Sequence, residues 1–97
     1  MLYLVISTPI PGKPSEALTN RRKLWEWAQP LIEQEIIKDN CIYAKVGRGA
    51  IALFDVGSHS ELHNYISQWL ELIPAKMKII PLMSQEDTHS YLSAHIT

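Results

Sequence analysis

The order strand, helix, strand, strand, helix, strand predicts an α+β sandwich in which two helices cover one face of a four-stranded antiparallel sheet. Three observations carry this reading. Four short apolar runs have strand length, two longer stretches repeat their apolar residues at helical spacing, and Gly47-Arg48-Gly49 separates the middle two runs as a hairpin turn would. At 97 residues the chain is one domain, 1–97. A chain of this size buries about 60–68% of the surface of its unfolded form, enough for one core.

The first run, Leu2-Tyr3-Leu4-Val5-Ile6, is short and partly β-branched, as in a strand buried on both faces. Pro9, Pro11 and Pro14 then impose a stiff loop. Ser15 is placed to cap the first helix, with Glu16 in its first turn, where the helix dipole favours an acid. Leu18, Trp25, Ala28, Ile32 and Ile36 recur at helical spacing, with Leu24 and Leu31 beside them, so this helix runs to Asp39-Asn40. Pro30 predicts a kink or break near Gln29, because proline lacks the amide proton and crowds the preceding turn.

Cys41 to Val46 and Ala50 to Val56 are the second and third strands. Ser58 and Glu61 form a capping box that opens the second helix, whose apolar face is Leu62, Tyr65, Ile66, Trp69 and Leu70. Pro74 follows it, and Met77 to Met83 is the fourth strand, where Pro81 points to an edge or a bulge. Residues 84–97 form a polar tail carrying Tyr91, Leu92 and Ile96, read as a short helix or an arm that docks on a neighbour. This succession is that of the ferredoxin-like βαββαβ sandwich.

The helices cover one sheet face only, yet the strands are apolar on both. Leu2, Leu4 and Ile6 alternate with Tyr3 and Val5, and Ile51 and Leu53 alternate with Ala52, Phe54 and Val56. An antiparallel sheet facing water shows polar residues on its wet side. The uncovered face therefore needs a lid, and the simplest is the same face of a second copy, giving a two-fold homodimer.

Composition narrows the function. The 46% apolar and 20% charged fractions are those of a folded globular domain. A net charge of −1 disfavours nucleic acid and polybasic membrane attachment as partners. The apolar run from Met1 to Ile6 is far short of the roughly 20 residues of a membrane span and lacks the basic start of a signal peptide. Cys41, the single cysteine, permits neither an internal disulfide nor a cysteine-based zinc site. A cytoplasmic protein is expected.

The stretch Phe54-Asp55-Val56-x-Ser58-x-x-Glu61-Leu62-His63, with Leu70-x-Leu72-Ile73-Pro74 after it, resembles the muconolactone isomerase family. The opening Met1-Leu2-Tyr3-Leu4-Val5 and the turn Val46-Gly47-Arg48 share the likeness, which covers residues 1–83. Tyr43-Ala44-Lys45 in the second strand departs from the family's pattern. The resemblance implies a dimeric α+β barrel that builds larger homo-oligomers. It also implies an activity that moves a double bond in a lactone, without metal or cofactor.

Within that frame His63 lies in the family's Glu-Leu-His segment. It has two readings: a proton carrier with a pKa near working pH, or a packed residue making one structural hydrogen bond. Tyr43 and Lys45, two apart on a strand, share a face. They read either as groups that stabilise an enolate oxygen, with Arg48 nearby, or as a solvated strand end. Of Arg21-Arg22-Lys23 only one side chain can face a pocket, and Arg22 is the candidate for a substrate carboxylate. Trp25 and Trp69, on the apolar faces of the two helices, are core residues or the walls of a pocket for a flat ring. His59, His63, His89 and His95 form no credible metal set, and no metal or cofactor is expected.

Three functions remain open: a cofactor-independent lactone or enol isomerase working by proton shift, a small oxygenase or cyclase of the same shape, and a non-enzymatic oligomer that binds a small ligand.

Overall fold

A computed structural model describes residues 1–11 and 14–95, without the side chains of 14–17, 39–42 and 95. Its elements are β1 (Leu2–Pro9), α1 (Pro14–Glu33), β2 (Ile37–Ala44), β3 (Ala50–Asp55), α2 (His59–Leu72), β4 (Ala75–Leu82) and α3 (Gln85–His95). The strands form one antiparallel sheet in the order β2-β3-β1-β4. This is the expected α+β sandwich, with a third helix supplied by the tail. Pro81 lies on β4, an edge strand, where a missing amide proton costs no ladder bond to a further strand.

Pairing fixes the two faces. Tyr3 pairs with Phe54, and Val5 pairs with Ala52 and Ile79. Tyr3, Val5, Ser7, Ala50, Ala52 and Phe54 are buried beneath the helices. From α1, Leu24, Ala28 and Leu31 close over them, and from α2, Leu62, Ile66 and Trp69. An aromatic cluster sits at the centre, with the Phe54 ring 6.2 Å from Tyr65 and 6.3 Å from Trp69. The intervening residues Leu2, Leu4, Ile6, Ile51, Leu53 and Ile80 face the other way and are half-exposed.

Three features of α1 differ from expectation. The buried stripe is Leu24, Ala28 and Leu31, while Leu18 and Trp25 lie on exposed turns. Pro30 does not break the helix, which continues to Glu33. The helix begins at Pro14, the first-turn position proline tolerates, so Ser15 lies inside it. The capping role of Ser15 and the core role of Cys41 fall on side chains outside those described.

The end of α1 also comes earlier than Asp39-Asn40. The Ile36 amide donates to the Leu31 carbonyl (2.9 Å), the Glu35 amide donates to the Ile32 carbonyl (3.1 Å), and Glu35 takes φ 60°. This is a Schellman ending with a left-handed glutamate in the usual glycine place. It frees Ile37 to open β2 and pair with Phe54, four residues ahead of the expected start. A register irregularity between Ile37 and Ile42 absorbs the extra length.

The start of α2 follows the sequence closely. The Glu61 amide donates to Ser58 Oγ (3.1 Å). The Glu61 carboxylate reaches past the cap to accept from the Gly57 amide (2.8 Å). At the other end of the chain Ser84 caps α3, accepting from the Asp87 amide (3.0 Å). Every residue from 85 to 94 is exposed. The molecule measures 57 × 25 × 22 Å. A strand of eight residues spans only about 26 Å and a helix of twenty about 30 Å, so the long axis reflects α3 standing away from the sandwich.

Candidate functional site

At the hairpin end of the sandwich the first helix and the sheet part to leave a cleft. Ser7 and Pro9 of β1 form its floor with Ala44, Arg48, Gly49 and Ala50 of the β2–β3 hairpin. Asn20, Arg21, Leu24 and Trp25 of α1 form one wall, and Trp69 and Ile73 at the end of α2 the other. It holds about 540 Å³ of empty space, part of it open to solvent.

The turn that forms the floor depends on glycine. The Lys45 amide donates to the Gly49 carbonyl (2.9 Å). Gly47 and Gly49 have φ 95° and 115°, and a Cβ on Gly49 would lie 2.2 Å from the Ser7 carbonyl oxygen. Only glycine lets the hairpin approach β1 this closely.

The chemistry of the lining is cationic and aromatic. Arg21 and Arg48 line it, and among the described residues no carboxylate does. Arg21 makes no ion pair among the described residues. The Trp25 indole is 38% exposed at the rim, whereas Trp69 is fully buried. The Trp69 Nε1 proton is buried with no acceptor among the described residues. Trp27 packs 6.1 Å from Trp69 and donates to Gln68 Oε1 at 2.9 Å.

Of the residues singled out from the sequence, Trp25 and Trp69 come together in this cleft. Arg22 does not line it; its neighbour Arg21 does, because burial of Leu24 and Ala28 sets the rotation of α1. Tyr43 pairs with Ile51, whose alternation places both on the opposite side of the sheet from the cleft-lining Ala44 and Ala50. Lys45 Nζ donates to Thr8 Oγ1 (2.9 Å) and likewise does not line the cleft. His63 stands exposed on α2, one residue past the buried Leu62, and outside the cleft lining; its carbonyl accepts from the Ser67 hydroxyl (2.8 Å). Tyr43, Lys45 and His63 are thus absent from the lining of this cleft. Asn20 and Ser7 are lining residues that the sequence reading missed; a lone serine on an apolar strand gave no signal before the strand's neighbours were known.

His59 has a structural engagement instead. Its Nδ1 is hydrogen-bonded to the hydroxyl of buried Tyr3, with the rings edge to face at 5.8 Å. Among the described residues no group of three His, Cys, Asp or Glu side chains could hold a metal ion, and no helix is long and apolar enough to cross a membrane.

The chain is thus an α+β sandwich protein with a cationic, indole-walled cleft between α1 and the sheet. Solved structures share the fold. Muconolactone isomerase superposes with a TM-score of 0.65 at 22% identity, covering 88% of this chain and 91% of that one. The 5-chloro-2-hydroxyhydroquinone dehydrochlorinase of Burkholderia phenoliruptrix AC1100, in complex with 2,5-dihydroxybenzoquinone, superposes with a TM-score of 0.62 at 16% identity, covering 89% and 97%. No curated protein matches the sequence. Residues 1–96 match the family described as "Domain of unknown function (DUF3303)", and the chain belongs to it.

Proposed function

We propose that the protein takes a small, flat, cyclic anion in the cleft beside Trp25. The observation that carries this reading is the gathering of Arg21, Arg48, Trp25 and Trp69 around one cavity whose described lining holds no acid. A guanidinium fits a carboxylate or enolate in two-pronged fashion, and an indole face suits a planar ring. The lone cysteine suits a reducing, cytoplasmic setting. Titration with benzoate and hydroxybenzoates, followed by tryptophan fluorescence, tests the proposal. Saturable binding should weaken about 10- to 100-fold in Arg21→Ala, the usual loss for a hydrogen bond to a charged group. No saturable binding, or equal binding by the variant, would refute it.

A second reading is a cofactor-independent isomerase that shifts a proton within a lactone or enol. The likeness to muconolactone isomerase and to a dehydrochlorinase bound to a quinone favours it, since both proteins are named for small ring compounds. The described cleft-lining side chains include no carboxylate, imidazole or amine. An arginine stays protonated, so it can stabilise an enolate but is a poor base. The proton acceptor in this reading comes from outside that lining, and His63 remains the candidate. Absorbance assays with muconolactone decide: turnover lost in His63→Ala supports the isomerase, and turnover unchanged in that variant removes His63 from the reaction.

A further inference from the structure

The indole N–H of Trp69 is the feature that nothing so far explains. The residue is fully buried, it lines the cleft, and among the described residues its Nε1 has no acceptor. Buried donors are nearly always paired, so one left open in a native protein calls for an explanation, and a group that takes its proton from outside the chain is one. Trp27, its neighbour in the same aromatic group, is paired with Gln68. Packing beside Phe54 needs the bulk of the ring but not its N–H, so the buried donor is a cost that packing does not repay.

We infer that Trp69 Nε1–H is the inner recognition group of the cleft and donates to an oxygen acceptor on the ligand's ring, opposite the anionic group held by Arg21. This rests on the proposed binding of a flat anion and narrows it. The ligand class is a planar cyclic acid whose ring bears a hydroxyl, carbonyl or ether oxygen remote from the carboxylate. A ring lacking that oxygen would leave the indole N–H unpaired in the complex, which is how a buried donor rejects an analogue more strongly than an apolar wall can.

Benzoate, 3-hydroxybenzoate and 4-hydroxybenzoate are titrated against the full chain labelled with ¹⁵N. The three indole N–H resonances are assigned from Trp25→Phe and Trp27→Phe. The expected result is that at least one hydroxybenzoate binds about tenfold more tightly than benzoate, moves the Trp69 indole resonance, and loses its advantage in Trp69→Phe. Should Trp69→Phe fail to fold, the resonance shift in the unaltered protein decides. Binding of all three with the Trp69 resonance unmoved, whatever their relative affinities, overturns the inference and leaves the cleft reading intact. Absence of binding by any of them overturns both.

Discussion

Gly49 holds the floor of the cleft in place because its backbone passes within contact of Ser7 at φ 115°. Gly49→Ala should destabilise the protein by at least about 2 kcal/mol, from left-handed strain plus displacement of the hairpin from β1. Chemical denaturation checks the loss. Gly47→Ala meets nothing within 4 Å and should suffer the backbone strain alone. At this scale the sequence was half legible. Trp25 and Trp69 stood out because large aromatic side chains are few. That Arg21 rather than Arg22 meets the cleft was not legible. Successive helix residues point about 100° apart, and the rotation is fixed only when Leu24 and Ala28 find the sheet. His63 adjoins the buried Leu62 in sequence, yet one step along a helix is enough to turn a side chain from core to water.

The ending of α1 shows how an element can be right in kind and wrong in extent. A glycine at position 35 would have announced the stop; a glutamate there hides it, although the backbone takes the same left-handed turn. Glu35→Gly should relieve the Cβ penalty of about 1 kcal/mol and raise the melting temperature by about 4–8 °C, measurable by calorimetry. Pro30 did not break the helix, since a helix anchored by Ala28 and Leu31 on the core tolerates one missing bond. By contrast Ser58 and Glu61 announced α2 directly, because side-chain caps are written in residue identity whereas left-handed backbone is not. Strand order followed as legibly, from the short turn and the crossover rule.

For the whole molecule the unanswered surface is the outer sheet face. Leu2, Leu4, Ile6, Ile51, Leu53 and Ile80 lie side by side there, with the start of α3 beside Leu2 and Leu53. Apolar surface left wet forgoes about 25 cal/mol per Å² that burial would return. A two-fold homodimer with facing sheets is therefore expected, α3 reaching onto the second copy. Sedimentation equilibrium at micromolar concentration should give twice the 11.1 kDa chain mass, and a stable monomer there would refute the pairing. Leu53→Lys should leave each sandwich folded and return the monomer. The protruding α3 has a hydrodynamic consequence for any such measurement. The Cα radius of gyration is 15.3 Å, against about 12.5 Å for a compact domain of this length. A single chain of that shape drags more solvent than a sphere of equal mass and leaves a sizing column early. Elution volume would thus overstate its mass, and rotational diffusion would be anisotropic, with amides along the axis relaxing differently from those across it. Only methods that weigh the particle independently of its friction separate one elongated chain from two chains folded back on each other.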